Sequence, residues 1–320
     1  MNPELLSLLR CPRCGAPLAS VTANGGATGR LSCKPCAAEY PCPDGMPFFL
    51  APDVAADRTA QAFEAQWTLH SRGAFEKDTI YGETAAEELQ SFLDRFGFAA
   101  ASGLAGQRIL DIGCGSGRLT SNLAKAAPGA VVVGGDRSGT ARLAHARCRE
   151  LPNALVAQFD LYAPPFAPES FDLIYADGVV PAVPDAEAAL ASLDRLLRPG
   201  GQLFVWLYPR SFSPYRLLRD VLVRPYLLPH SVQQSLCWIF GVPLHAAFKL
   251  YEPFRGPRRR SLREVVFMLH DNLTPQYQHR RHPDELVAEF RRLGYADARS
   301  LAFPVSVVGT KAGARPAPSP

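Results

Sequence analysis

The stretch ILDIGCGSGRL, Ile109 to Leu119, decides the fold of this chain. An apolar run stops at Asp111, three glycines alternate with Cys114 and Ser116, and a helical segment follows. A strand, a glycine loop and a helix in this order place backbone N–H groups at a helix N-terminus, where they can bind a ligand. A dinucleotide site has the spacing G-x-G-x-x-G, but here the third glycine comes one residue early and Arg118 takes its place. The loop also differs from the phosphate-binding pattern G-x-x-x-x-G-K-[ST], so the ligand class depends on the rest of the chain.

Apolar strands and helical segments alternate around this loop. The strands read QRILDIG, AVVVGGD, ALVAQFD, FDLIYAD and GGQLFVWLY. Such alternation predicts an α/β fold with a mostly parallel sheet and crossover helices. A last helix is expected from about Pro283 to Leu293, with two further strands near Ala298–Phe303 and Val305–Thr310.

Composition divides the chain into successive parts. The predicted parts are a Cys- and Pro-rich block at 1–50 with a hairpin tip at 22–29, a helical linker or lid at 51–105, the α/β domain at 106–311 with a mostly helical insertion at 209–282, and a disordered tail at 312–320.

The overall composition indicates a soluble globular protein of the cytoplasm. Of the 320 residues, 47% are hydrophobic and 20% charged, and a net charge of +4 is too mild to require a nucleic-acid partner. The N-terminal sequence lacks a basic segment followed by an apolar one, and apolar runs stay shorter than the ~18–20 residues of a membrane span. Five of the eight cysteines fall in the first 42 residues, which favours a metal site and a reducing compartment.

Those cysteines form two pairs. Cys11 and Cys14 are separated from Cys33 and Cys36 by eighteen residues, and each pair is spaced C-x-x-C. This is the spacing of a four-thiolate structural zinc site, which a block of about 50 residues with little core needs for stability. CPRCGAPL and CKPCAAEYPCPDGMPFFL resemble the zinc ribbon of the small activator subunit of certain tRNA and protein methyltransferases, a ribbon also fused to the front of bacterial methyltransferases. Cys42 is expected to be a small buried residue rather than a fifth ligand.

The pattern D-x-G-x-G-x-G resembles the first motif of class I S-adenosylmethionine-dependent methyltransferases of the type 11 kind. Strand AVVVGGD ends in Asp136, nineteen residues after Gly117, and LLRPGGQLFVWLY continues the family's order. The resemblance covers roughly residues 104–208 and 283–310. It implies a Rossmann-like sheet of seven strands, mostly parallel with the last strand antiparallel, and S-adenosylmethionine as the cofactor.

The resemblance also implies a set of cofactor-binding residues. They are Asp111, Gly113, Gly115, Gly117, Asp136, Arg137, Asp160, Leu161 and Asp177. In it, Asp136 accepts the ribose hydroxyls, a role that also suits NAD, and Asp160 accepts the adenine amino group. Arg137 stands where an aliphatic residue usually packs on the adenine, and DGVVPAVPD stands where close relatives often have two histidines. Cys114 is expected to pack rather than to react, since no base lies beside it in sequence.

The stretch LHDNLTPQYQHRRHPDEL contains the candidate acid–base groups and resembles a region of methyltransferases encoded near glycan and natural-product pathways. Methyl transfer from a sulfonium needs positioning above all, but an oxygen or nitrogen acceptor can also need its proton removed. We expect His279 or Asp271 to serve as that base, while His282 caps the following helix.

The insertion determines what acceptor is expected. Residues 208–300 hold fifteen Lys/Arg against eight Asp/Glu and many aromatics. The expected function is methyl transfer to oxygen or nitrogen of a small or lipid- or nucleotide-linked metabolite. RNA is an alternative acceptor, because zinc ribbons often bind nucleic acid, although the first 50 residues are not basic. An inactive binding or activator protein and, more distantly, an NAD oxidoreductase also remain open, and the sequence leaves the oligomeric state undetermined.

Overall fold

The computed structural model describes residues 3–22, 28–50, 58–75, 78–210, 219–220, 224–251, 261–301 and 305–313. The α-helices of these residues are α1 Pro3–Leu8, α2 Arg58–Ser71, α3 Ala85–Phe96, α4 Arg118–Ala126, α5 Ala141–Cys148, α6 Ala186–Leu196, α7 His230–Tyr251, α8 Leu262–Leu273 and α9 Pro283–Arg292. The strands are β1 Ala19–Thr22, β2 Thr28–Ser32, β3 Glu39–Pro41, β4 Thr79–Ile80, β5 Glu83–Thr84, β6 Arg108–Ile112, β7 Val131–Asp136, β8 Ala154–Gln158, β9 Phe171–Ala176, β10 Leu197–Trp206, β11 Tyr208–Pro209, β12 Arg280–Arg281, β13 Arg299–Leu301 and β14 Ser306–Thr310.

A seven-stranded sheet with the order β13-β14-β10-β9-β6-β7-β8 forms the centre of the fold. The pairs β8–β7, β7–β6, β6–β9 and β9–β10 are parallel, whereas β14 runs antiparallel to both β10 and β13. The order reverses at β6, so the carboxyl ends of β6 and β9 flank a crevice where ligands of such sheets bind. This arrangement confirms the expected Rossmann-like sheet with its last strand antiparallel.

Side chains alternate between the two faces of the sheet because the period of a strand is two residues. On β6, Ile109 packs with Phe92 of α3 and Leu123 of α4, while the next residue, Leu110, packs on the opposite face with Leu193 of α6. Helices therefore cover both faces, as a parallel sheet requires.

The first 50 residues pack against the edge of this sheet. The three-stranded sheet β1-β2-β3 places Leu31 in the same buried cluster as Leu155 of β8. Gln158 donates its N–H to the Pro47 carbonyl at 2.9 Å and accepts from the Phe49 N–H at 2.8 Å. The edge strand β8 is therefore paired rather than left open.

Helices α7 and α8 of the insertion pack closely together. A side chain on Gly241 would lie 2.7 Å from Val266, so this position needs glycine. Trp67 of α2 and Phe75 join α7 and α8 in one apolar cluster. Among the described residues, no helix combines the length and apolarity that a membrane crossing needs. Most of the predicted hairpin tip at 22–29 and of the predicted tail at 312–320 lies outside the described residues.

Candidate cofactor and acceptor site

The glycine loop connects β6 to α4 through left-handed backbone. Gly113, Gly115 and Gly117 have φ of +73°, +52° and +73°, a region that favours glycine. A side chain at Gly117 would lie 2.6 Å from the Cα of Ala144, and one at Gly113 would lie 2.1 Å from Val179. The glycines therefore permit both the turn and the close approach of α5 to the loop.

Asp136, at the end of β7, fixes the loop from the neighbouring strand. Its Oδ2 accepts the Gly115 N–H at 2.9 Å, and its Oδ1 accepts the N–H and the hydroxyl of Ser138 at 2.8 and 2.7 Å. Burial raises the pKa of Asp136, although these hydrogen bonds lower it. A hydrogen bond thus connects Asp136 and Gly115, two residues that were predicted to bind the same ligand.

Asp111 lies beneath the loop and is only 5% exposed. Burial is the main cause that raises its pKa to about 7, against a hydrogen bond from the Thr120 hydroxyl at 2.6 Å. The negative charges of Glu88, Asp136 and Asp177 raise the pKa of Asp111 further. The carboxylates at this end of the sheet therefore repel one another.

Two arginines partly offset this negative charge. Arg95 pairs with Asp177 at 3.0 Å, and Arg118 pairs with Glu88 at 2.8 Å. The Tyr175 hydroxyl also donates to Asp177 at 2.8 Å. Burial nevertheless raises the pKa of both Asp177 and Glu88, so the arginines compensate their burial incompletely.

Asp160, after β8, lies beside Arg137. The Arg137 Nε and the Asp160 Oδ2 are 3.5 Å apart, and the other carboxylate oxygen accepts the Tyr162 N–H at 2.9 Å. Leu161 is buried in the core below. Arg137 follows Asp136 directly in sequence, and its contact with Asp160 places both residues at the carboxyl end of the parallel strands.

Helix α2 covers the glycine loop. A side chain on Gly115 would lie 2.9 Å from the Trp67 ring, and Glu64 accepts the Gly139 N–H at 3.2 Å. Trp67 also makes an edge contact with Phe267 of α8, with ring centroids 5.7 Å apart. The segment AFEAQW, which lies within the predicted linker or lid at 51–105, thus touches the loop on one side and helix α8 on the other.

Asp271, near the end of α8, lies between two phenols. Its carboxylate accepts from the Tyr208 hydroxyl at 2.8 Å and from the Tyr81 hydroxyl at 3.1 Å. Burial raises the pKa of Asp271 to about 6, although both hydrogen bonds lower it, and the charge of Asp177 adds to the rise. Tyr81 and Tyr208 were not among the site residues predicted from the sequence.

His279 lies against the segment DGVVPAVPD, which follows β9. Its Nε2 is 2.8 Å from the Val183 carbonyl oxygen, and its backbone N–H donates to the Pro181 carbonyl at 2.8 Å. With the Nε2 proton donated to that carbonyl, the imidazole holds residues 181–183 in place. His282 is the N-cap residue of α9, and its backbone N–H donates to Glu285 at 2.9 Å.

Cys114 packs inside the loop rather than facing the crevice. It is 9% exposed and lies in an apolar cluster with Ala141, Ala144 and Val156. Burial raises the pKa of the Cys114 thiol well above its usual value, so the reactive thiolate is disfavoured.

The four cysteines of the N-terminal block converge on one point. Their sulfur atoms all lie within 4.8 Å of one another, with Cys14 at 3.4 Å from Cys33 and 3.5 Å from Cys36. Tetrahedral zinc with Zn–S bonds of about 2.3 Å separates its sulfurs by about 3.8 Å, so this donor set fits a zinc ion. The Tyr40 hydroxyl lies 3.0 Å from the Cys11 sulfur and can donate to a bound thiolate.

The sheet order and the glycine loop define the fold of the class I S-adenosylmethionine-dependent methyltransferases. Residues 110–205 match the family described as "Methyltransferase domain". The chain is 38% identical over 131 residues to the ubiquinone biosynthesis O-methyltransferase of Aromatoleum aromaticum, covering 40% of this chain and 54% of that protein. It is 41% identical over 98 residues to the trans-aconitate 2-methyltransferase of Deinococcus radiodurans, covering 31% and 36%.

The chain spans about half the length, or less, of these curated relatives. Among solved structures, a SAM-dependent methyltransferase of Aquifex aeolicus matches with 12% identity and a TM-score of 0.44, over 77% of this chain and 96% of that one. A methyltransferase of Thermotoga maritima matches with 17% identity and a TM-score of 0.45, over 78% and 99%.

Proposed function

We propose that this protein transfers a methyl group from S-adenosylmethionine to an oxygen atom of a small metabolite. The observation that carries the proposal is the excess of carboxylates around the glycine loop. The negative charges of Glu88, Asp136 and Asp177 all raise the pKa of Asp111. Two arginines offset part of this charge, since Arg95 pairs with Asp177 and Arg118 pairs with Glu88.

A ligand that carries positive charge relieves this repulsion. S-adenosylmethionine has a sulfonium and an ammonium group, so it is attracted to a site of net negative charge. A dinucleotide brings an anionic pyrophosphate and would add to the repulsion, in agreement with the glycine spacing that disfavours it. Binding of the cation is expected to lower the pKa of Asp111.

The residues that would hold the cofactor come from adjacent strand ends. In this proposal the loop backbone from Gly113 to Gly117 would form the floor of the site, Asp136 would accept the ribose hydroxyls and Asp160 the adenine amino group. Asp111 would face the amino end, Arg137 and Leu161 the adenine end and Asp177 the methyl end. When bound, S-adenosylmethionine supplies an electrophilic methyl group whose leaving group is a neutral thioether.

We assign the role of general base to Asp271 in this proposal. Its pKa of about 6 leaves it ionised near neutral pH and able to accept a proton from an acceptor hydroxyl. The charge of Asp177, at the proposed methyl end of the site, contributes to the raised pKa of Asp271. His279, with its Nε2 at the Val183 carbonyl, serves instead as a positioning residue for the loop at 181–183.

The choice of an oxygen acceptor rests on the names of relatives. One curated relative is an O-methyltransferase of ubiquinone biosynthesis and another acts on trans-aconitate. The basic insertion, with fifteen Lys/Arg against eight Asp/Glu over residues 208–300, suits an acceptor that carries an acidic group.

We further propose that the first 50 residues are a structural zinc ribbon, followed by a lid at 51–105 and the catalytic domain at 106–311. The four thiolates fill a tetrahedral ion and leave no open position for catalysis. The metal would hold the block that pairs with the β8 edge through residues 47–49.

Calorimetry with S-adenosylmethionine tests the cofactor site. Asp136→Ala removes the hydrogen-bond acceptor of the loop and of the ribose, and about 1.5–3 kcal/mol for a charged hydrogen bond means a roughly 10–100-fold weaker affinity. Asp94→Ala, on the exposed end of α3, is the matched control and keeps wild-type affinity. An unchanged affinity in Asp136→Ala would place the cofactor elsewhere.

Release of S-adenosylhomocysteine in the presence of phenolic, catecholic and carboxylic acceptors tests turnover. Asp271→Asn should lose most turnover while keeping cofactor affinity, whereas His279→Ala should raise the KM for the acceptor more than it lowers kcat. Full turnover in both variants would remove the assigned roles. Tight cofactor binding without release for any acceptor class would favour a binding protein over an enzyme.

A further inference from the structure

Helix α7 exposes an apolar face to solvent. The exposed fractions are 41% for Val232, 63% for Ile239, 53% for Val242 and 74% for Leu250. Their spacing follows the 3.6-residue period of an α-helix, so they lie on one side, with exposed Ala246 between the last two. We call this side the α7 outer face. Exposed apolar stripes of this kind mark interaction surfaces.

The opposite side of α7 is already occupied. Cys237 is fully buried, and Gly241 lies so close to Val266 of α8 that a side chain would clash. Phe248 packs in the same cluster. The helix cannot rotate to bury its outer face without exposing this inner one, so the outer face is a fixed feature of the folded chain.

The charge of the sequence that contains α7 indicates the kind of partner. The helix contains no acidic residue, and residues 210–260 hold nine Lys/Arg against two Asp/Glu. Two copies of such a segment would repel each other, which disfavours a second copy of this chain. Aliphatic side chains also offer no flat ring for stacking on bases, which disfavours RNA. Exposed aliphatic groups on a helix that has exposed Arg224 before it and exposed Lys249 near its end match an anionic phospholipid surface.

We propose that the α7 outer face docks on an anionic phospholipid bilayer. The helix lies parallel to the surface, with Ile239 and Val242 among the acyl chains and exposed Lys249 and Arg224 at the level of the head groups. The docking itself is independent of the proposed function. If that function holds, docking also brings Asp271 of α8, the helix on which α7 packs, near acceptors that partition into the membrane.

Co-sedimentation with vesicles tests the proposal on the whole zinc-loaded chain. Vesicles of phosphatidylcholine and phosphatidylglycerol are compared with phosphatidylcholine alone, at low and high salt. Wild type should bind the anionic vesicles, and salt should weaken this binding because it screens the basic residues. The double variant Ile239→Glu/Val242→Glu should bind the anionic vesicles at least about tenfold more weakly.

The matched control is Ala188→Glu/Ala191→Glu on α6, where both alanines are exposed with the same spacing of three residues. It adds the same charge to another helix and should keep wild-type vesicle binding. Thermal midpoints and cofactor affinity of both variants show whether they fold. Failure of the wild type to bind anionic vesicles, or equal loss in both variants, would overturn the proposal. So would a wild-type dimer in sedimentation velocity that Ile239→Glu/Val242→Glu dissociates, because a second copy would then cover the face.

Discussion

Replacement of Asp111 by asparagine should stabilise the protein and weaken cofactor binding at the same time. Burial, with the neighbouring negative charges adding to it, raises the pKa of Asp111 from 3.8 to about 7. A carboxyl group whose pKa is raised by folding contributes stability below its unfolded pKa, and that contribution is lost as the pH rises through the folded value. Asparagine keeps an oxygen for the Thr120 hydroxyl at 2.6 Å but never ionises.

The expected gain in the free energy of unfolding follows from the change in the pKa of Asp111 on folding. A difference of about 3 pKa units at about 1.4 kcal/mol each gives an upper value of about 4 kcal/mol at pH 8. Asp111→Asn should therefore melt on the order of 10 °C above the wild type at pH 8, and the two should converge as the pH falls towards 4. Its affinity for S-adenosylmethionine should fall roughly 10–100-fold, because one carboxylate that attracts the cation is gone.

Thermal unfolding without ligand at a series of pH values measures this effect, and Asp297 provides a control of opposite sign. Partial burial raises the pKa of Asp297, but hydrogen bonds from the hydroxyl and the N–H of Thr310 outweigh this effect. The pKa of Asp297 therefore lies below its usual value. Asp297→Asn should thus be less stable than the wild type at pH 8, with a gap that narrows as the pH falls. A pH-independent difference for Asp111→Asn, or a lower stability at pH 8, would refute the reasoning.

Three further predictions concern the loop, the metal site and the base. Gly117→Ala should destabilise the protein by about 1–3 kcal/mol in thermal unfolding, because its side chain would meet the Ala144 backbone at 2.6 Å and its φ is +73°. Cys14→Ser should lower the zinc content measured by elemental analysis and also the thermal midpoint, and a chelator should do the same to the wild type. Tyr208→Phe should move the acidic limb of the kcat/KM profile to higher pH, because the Tyr208 hydrogen bond lowers the pKa of Asp271 and its loss raises that pKa.

Each of these predictions has a control. Gly106→Ala carries the same kind of strained φ, +79°, in open space, so a cost equal to that of Gly117→Ala would argue against the clash. The Cys42→Ser variant should keep the zinc content of the wild type, and a lower zinc content would show that Cys42 is a metal ligand. An unchanged pH profile in Tyr208→Phe, with activity retained, would show that Asp271 is not the titrating base.

Local patterns predicted much of the candidate cofactor site. The glycine spacing after β6 predicted a loop that only a left-handed backbone satisfies, and all three glycines have positive φ. Asp136 and Asp160 could be placed at the same edge of the sheet from the sequence, because parallel strands bring their carboxyl ends together. The four cysteines could also be grouped from the sequence, since two tight turns of fixed spacing leave few arrangements for their thiols.

Contacts between distant segments were outside the reach of such patterns. Tyr81 and Asp271 are 190 residues apart, and His279 meets Val183 across 96 residues. Neither pair has a spacing signal, because the approach of α8 to Tyr81 and of His279 to Val183 depends on how distant segments pack. The pairing of residues 47–49 with β8 is likewise a meeting of two elements, each of which has an ordinary sequence.

By itself the sequence determined the α/β class, the glycine loop, the strand-end acids and the cysteine pairs, because each depends on residues close together in the chain. Only the tertiary structure decided which carboxyl group lies between two phenols and which side of α7 faces solvent. Helix α7 is apolar on both sides, so its pattern cannot distinguish the inner face from the outer one. Packing against α8 makes that choice, because a single side can fit the groove where Gly241 meets Val266.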